Sequence, residues 1–142
     1  EEETFRDCSS LTSINIPDSV VSIESKAFQN CTSLTNVIIP KSVSNIGHEA
    51  FANCKALEEI VIPEGVKIIG DGAFLGCESL KKIVLPNSLT EIVSEAFEGC
   101  CSLESVIIPP NVKVEKNAFT GCSPSLSFYT PEGKQILLNN QD

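Results

Sequence analysis

Apolar residues recur along this chain with a period of 23 residues. Each fixed position of the repeat is apolar, whereas the positions between them are mostly polar. The phenylalanines stand 23 residues apart, with one final step of 22, at Phe5, Phe28, Phe51, Phe74, Phe97 and Phe119. A unit this short cannot bury its apolar face alone, so the pattern predicts a solenoid in which successive coils stack and like side chains form columns.

One repeat predicts three local elements. Residues 57–62 end in an apolar alternation typical of a short strand, and Pro63, which lacks an N–H, is expected to end it. Val66 and Ile69 then suit an extended or irregular leg. The spacing in residues 73–77, with Gly76 before the cysteine, predicts a short helical corner. The fold class is therefore a leucine-rich-repeat-like solenoid whose short parallel strands line the inner face.

The repeat divides the chain unequally. Residues 1–122 are predicted to form about five coils, and residues 123–142, where the phase is lost, an atypical C-terminal cap and tail. The repeat at residues 111–118 is one residue short, so Val114 is expected to take the inward position in place of Glu115. Residues 1–10 supply only a corner. The N-terminal end is therefore predicted to be open, either continuing into further repeats or self-associating with another molecule.

Charge narrows the classes of partner. The formal net charge is −9, with Arg6 as the single arginine, so a polyanion would be repelled. We therefore predict no nucleic-acid partner. No apolar run approaches the roughly 18 residues that a bilayer span requires, so no membrane insertion is predicted either.

Seven cysteines suggest a disulfide framework, but their arrangement favours another interpretation. Six of them follow the phenylalanines by three residues, at Cys8, Cys31, Cys54, Cys77, Cys100 and Cys122. Parallel Cβ vectors in such a column make bridging awkward, so we expect buried free thiols. A line of cysteines with one histidine, His48, does not converge on a zinc ion, and His48 has no visible orienting partner for catalysis. We therefore predict no catalytic, cofactor-binding or metal site.

One surface has the pattern of a binding site. Ile60 and Ile62 are expected to point inward, so Glu59 and Val61 must point outward. The predicted protein-binding inner face combines the position of Val61 in each coil with part of the polar row beside it: Asn15, Ile38, Val61, Val84, Ile107, Asn36, Glu59 and Lys82. An apolar stripe with a polar rim is typical of an interaction surface. The alternative is that these β-branched residues only strengthen the strands.

Residues 40–54, Pro-Lys-Ser-Val-Ser-Asn-Ile-Gly-His-Glu-Ala-Phe-Ala-Asn-Cys, resemble the unit of the BspA-type (Treponema-type) leucine-rich repeats of bacterial and protist surface proteins. The resemblance covers about residues 5–122. It implies a cell-surface or secreted module, extracellular in location and without catalytic residues. It further implies adhesion to a protein ligand such as a host matrix or cell-surface protein. The alternative is a structural spacer with no ligand of its own.

Overall fold

The computed structural model describes residues 3–138, and every strand in this range is two or three residues long. No helix is formed between residues 3 and 138. The strands are Ser13–Asn15 (β1), Ser22–Ile23 (β2), Asn36–Ile38 (β3), Asn45–Ile46 (β4), Glu59–Val61 (β5), Ile68–Ile69 (β6), Lys82–Val84 (β7), Glu91–Ile92 (β8), Ser105–Ile107 (β9), Lys113–Val114 (β10), Ser127–Tyr129 (β11) and Gln135–Ile136 (β12). They form a β-solenoid of about five coils, which confirms the predicted class.

The odd-numbered strands β1 to β11, called the front strands below, lie where the sequence predicts the inner strands. Their central residues are buried or half-buried, and in β3, β5, β7 and β9 the two flanking residues are exposed. The strands pair in parallel and in register, as Ile60 with Ile83 and Val61 with Val84. Pairing is nevertheless interrupted, because among the described residues no ladder joins β3 to β5 or β7 to β9. The front face is thus a row of short ladders rather than one continuous sheet.

The even-numbered strands β2 to β10, called the back strands, are the predicted legs, and they are extended rather than irregular. They form one five-stranded parallel sheet in the order β2-β4-β6-β8-β10. Only one residue of each strand points inward. These residues stack in register, as Ile23, Ile46, Ile69, Ile92 and Val114. Val114 therefore holds the position that its shortened repeat was predicted to give it.

The corners are turns, so the predicted helical corner is wrong. The N–H groups of Phe28 and Asn30 donate to the carbonyls of Ala50 and Ala52 in the next coil, both at 2.8 Å. A helix would keep these bonds within its own segment. Asn30 also has φ 62°, which interrupts a right-handed helix. Residues tolerant of this conformation stand at the same place in the following coils: Asn53, Gly76, Gly99 and Gly121.

The core is a set of columns, of which the phenylalanine column is the largest. Neighbouring rings from Phe5 to Phe119 have centroids 5.1–5.4 Å apart and planes within 8° of parallel. This offset stacking is a favoured arrangement of aromatic rings. The three central rings, Phe51, Phe74 and Phe97, have no exposed surface. The coils are therefore held together by contacts between identical side chains.

The two ends of the phenylalanine column differ. Phe128 of β11 packs edge-on against Phe119, with centroids 4.9 Å apart and an interplanar angle of 70°. β11 pairs in parallel with β9 and antiparallel with β12, which reverses the chain. Phe5 at the other end is 36% exposed.

The division into a solenoid of residues 1–122 and a cap of residues 123–142 stays a prediction, and residues 139–142 of the predicted tail lie outside the described residues.

Candidate functional site

The front face carries a stripe of exposed apolar side chains. The apolar stripe is formed by the last residue of β3, β5, β7 and β9, and these residues are 72%, 59%, 41% and 55% exposed: Ile38, Val61, Val84 and Ile107. Asn15 of β1 is exposed and continues the row with a polar residue. The inward neighbours of these residues are buried, so the strand alternation holds the stripe on the surface.

Polar side chains flank the apolar stripe at the start of each front strand. Asn36, Glu59 and Lys82 are all exposed there, as the sequence predicts. One residue earlier, the Lys81 ammonium Nζ lies 4.0 Å from Oε2 of Glu58, and both side chains are more than 60% exposed. An ion pair this exposed contributes about 0–1 kcal/mol to stability. These charges are therefore free to act on a partner at little cost to the fold.

A groove of about 1060 Å³ lies over β3, β5 and β7. Ile38, Val61 and Val84 are among its lining residues, and Lys41 and Glu64 line it on the side of the proline turns. The sequence did not single out this second edge. Its signal is weak, since the residues after the prolines vary in charge from repeat to repeat. The groove brings together the central part of the predicted binding face.

The back sheet shows that strand formation does not require an apolar outer row. Its outward positions are mostly polar and contain one large exposed apolar residue, Ile68 at 44%. The full row is Ser22, Asn45, Ile68, Glu91 and Lys113. Polar residues thus serve equally well in strands of the same solenoid. Four consecutive β-branched apolar residues on the front face therefore need a reason other than strand propensity.

The cysteine column is a set of free thiols with fixed partners. The Cys31, Cys54, Cys77 and Cys100 Sγ atoms each donate to the carbonyl of the phenylalanine one coil back, at 3.1–3.3 Å. Burial raises the pKa of the Cys54 thiol to about 12 and that of Cys77 well above its ordinary value. Because the thiolate is the reactive form, these buried thiols are inert at neutral pH.

The thiols give a direct check of the packing. With Ellman's reagent on the native protein, we expect one fast thiol, Cys101, which is exposed. Half-buried Cys8 and Cys122 should react slowly, and the four buried thiols only after denaturation. The variant Cys101→Ser should lose the fast phase alone. Fewer than seven reactive thiols in denaturant without reductant would show that disulfides exist and that the column is misassigned.

His48, the only histidine in the chain, is exposed and lies beside two carboxylates. The His48 Nε2 lies 3.4 Å from Oε1 of Glu49, and its Nδ1 lies 3.7 Å from Oδ2 of Asp71. Both ring nitrogens thus face carboxylates rather than a nucleophile. Within residues 3–138 no group of three or more His, Cys, Asp or Glu side chains could hold a metal ion. The same range contains no helix that is long and apolar enough to cross a membrane.

Parallel coils of 23 residues, stacked through leucine, isoleucine and phenylalanine columns, define a leucine-rich-repeat protein. The chain belongs to the BspA-type leucine-rich repeat family, whose repeat matches residues 1–125 in six copies. Families of this repeat class generally serve as protein-interaction scaffolds and are typically non-catalytic.

Solved structures of bacterial leucine-rich-repeat proteins are similar to this chain. A leucine-rich repeat protein from Bacteroides ovatus shares 42% identity over 84% of the chain, with a TM-score of 0.80. The leucine-rich repeat protein of T. pallidum shares 38% identity over 91%, with a TM-score of 0.85. A leucine rich cell surface protein from Faecalibacterium prausnitzii shares 35% identity over 98%, with a TM-score of 0.81.

The chain is shorter than these relatives. It spans 31%, 60% and 38% of the lengths of the Bacteroides, T. pallidum and Faecalibacterium proteins, respectively. No curated protein matches the sequence. The similarity therefore fixes the fold and the family, while the ligand has to be inferred from the surface.

Proposed function

We propose that this chain is a protein-binding module that holds its partner on the front face, through the apolar stripe and the polar residues beside it. The observation that carries the proposal is the run of four exposed β-branched residues on consecutive coils, Ile38, Val61, Val84 and Ile107. Exposed apolar surface gains free energy when a partner removes it from water, at about 25 cal/mol per Å². The polar rim then provides orientation and specificity.

The contrast between the two faces supports a binding site on the front face rather than on the back sheet. Val84 on the front face has apolar neighbours in the coils on both sides, whereas Ile68 on the back sheet lies between the polar residues Asn45 and Glu91. Scattered exposed apolar residues are normal on soluble proteins. A contiguous row of them that lines a groove is typical of an interface.

We further propose that the module belongs to a surface-exposed or secreted protein and contributes to adhesion. The relative from Faecalibacterium prausnitzii is described as a cell surface protein. The net charge of −9 repels polyanions, so among the molecules of a matrix or cell surface it favours a protein as the partner. The partner proposed is therefore a protein of the extracellular matrix or of another cell surface.

Site-directed photo-crosslinking tests where the partner binds. A benzophenone amino acid is placed at Val84 on the front face or, as the matched control, at Ile68 on the back sheet. These residues are similarly exposed, at 41% and 44%. The two variants are irradiated with a panel of purified extracellular-matrix proteins. We expect covalent adducts with one panel member from position 84 and none from position 68.

Two outcomes would contradict the proposal. Adducts formed equally from both positions would show non-specific contact. An absence of adducts from position 84 across the panel and on intact cells would favour the spacer function, in which the coils set length and bind nothing themselves.

A further inference from the structure

The apolar stripe is long along the solenoid axis and short along the strands. In β5, Val61 lies between the polar Glu59 at the strand start and the buried Ile62 that follows the strand. Along the axis, the stripe spans three coil steps, and parallel strands paired in register, as Val61 with Val84, lie about 4.8 Å apart. It is therefore roughly 15 Å long and one side chain wide, so a segment that covers it must run across the strands.

This coil step of about 4.8 Å is close to the pitch of an α-helix, which rises about 5.4 Å per turn, so over three steps the two differ by only about 2 Å. A helix lying along the axis places one turn over each coil, so side chains at i, i+3 or i+4, i+7 and i+11 meet successive stripe residues. An extended strand repeats its outward side chains every 6.4–6.8 Å or so and loses register within two coils. Backbone pairing cannot compensate, because the hydrogen-bonding groups of the front strands lie in the plane of the sheet.

The charged residues beside the apolar stripe indicate the direction in which a bound helix runs. Glu58 and Glu59 stand beside the stripe on one coil, and Lys81 and Lys82 stand at the same places on the next coil. A complementary helix presents a basic residue over the glutamates and an acidic residue one turn away, over the lysines. Helices favour an acidic residue four positions before a basic one, in line with the helix dipole. Such a helix runs opposite to the order of the coils.

From the pitch, the shape and the charges, we propose that the segment recognised by the front face is an amphipathic α-helix of the partner protein, about three turns long. It lies along the solenoid axis with an acidic residue preceding a basic one on its rim. The inference rests on the proposed binding function and specifies its ligand. A second copy of this chain cannot supply this helix from its described residues, because residues 3–138 form no helix.

Selection from two displayed peptide libraries tests the helix. One library randomises the surface of a stable helix, and the other randomises an extended hairpin. Binders are kept when they bind the wild type and lose binding to the variant Val61→Lys/Val84→Lys. We expect such binders from the helical library, with apolar residues at i, i+3 or i+4 and i+7, and with acid before base. Stripe-dependent binders from the hairpin library alone would overturn the proposal.

A charge-swapped variant tests the direction. The four rim residues are exposed, so Glu58→Lys, Glu59→Lys, Lys81→Glu and Lys82→Glu together should leave the fold intact. Helices selected on the wild type and on this variant should both carry acid before base but lie in opposite directions along the axis, so a photo-crosslinker at the helix N-terminus should label opposite ends of the stripe. Labelling of the same end of the stripe in both complexes would overturn the inference about direction.

The peptide and crosslinking experiments test the two proposals separately, so one proposal can be wrong while the other stands. If position 84 crosslinks to a matrix protein while neither library yields a stripe-dependent binder, the binding function stands and the helical ligand is wrong. If neither experiment finds a ligand at the stripe, both proposals are wrong.

Discussion

Replacing Phe74 with alanine is expected to lower the free energy of unfolding by about 3–5 kcal/mol. The ring is fully buried and lies between Phe51 and Phe97, with centroids 5.3 and 5.4 Å away. Its removal leaves a cavity that the neighbouring coils cannot close, because each coil is fixed by the stacking of its other columns. Thermal or urea unfolding monitored by circular dichroism measures the loss, which corresponds to a fall of about 10–20 °C in Tm.

Two variants calibrate this result. Phe74→Leu fills most of the cavity and should cost clearly less than alanine, because it loses the ring contacts and little volume. Lys81→Ala removes a side chain that is 63% exposed and should change stability by no more than about 0.5 kcal/mol. If Phe74→Ala unfolded at the same temperature as Lys81→Ala, stacking of the buried phenylalanine rings would not stabilise the fold.

The double substitution Val61→Lys/Val84→Lys is expected to weaken partner binding by about 100-fold or more. Val61 and Val84 pair in register on β5 and β7 at the centre of the apolar stripe. Two ammonium groups there would have to lose their hydration inside an apolar contact, with no counter-charge supplied by the stripe. Because both side chains are 41–59% exposed in the free chain, the fold should tolerate the change.

A matched control separates the site from the added charge. Val21→Lys/Ile68→Lys adds the same two charges at exposed apolar positions, 63% and 44% exposed, away from the front face. Surface plasmon resonance against the crosslinked partner should show normal affinity for this variant, with both variants unfolding at about the temperature of the wild type. Equal affinities for the two double variants would mean that the stripe does not bind the partner.

The 23-residue period predicted the architecture because a solenoid repeats its contacts with its sequence. Once Phe51 and Phe74 occupy equivalent positions, their stacking follows, as does the outward direction of Val61 between two buried isoleucines. Even the shortened repeat was predictable, because only Val114 could continue the column of Ile92. The exposure of the stripe could therefore be predicted from alternation alone.

The corners and legs could not be predicted in the same way. A three-residue spacing, as from Phe28 to Cys31, is produced equally by a helical turn and by the tight turn found here, whose 3.2 Å bond joins these two residues. The back strands are only two residues long, as in Ile68–Ile69, so they contain no full alternation. The sequence also gives no sign of where the front ladders are interrupted, because the strand positions on either side of each interruption follow the same repeat.

Contacts between the aromatic rings of successive coils provide the most direct test of the stacked columns. In a protein with selectively labelled phenylalanines, nuclear Overhauser spectra should connect each ring to the next along Phe5, Phe28, Phe51, Phe74, Phe97 and Phe119, as centroid distances of 5.1–5.4 Å require. Rings without these sequential contacts, or with the chemical shifts of solvent-exposed phenylalanine, would contradict the solenoid and the binding face built on it.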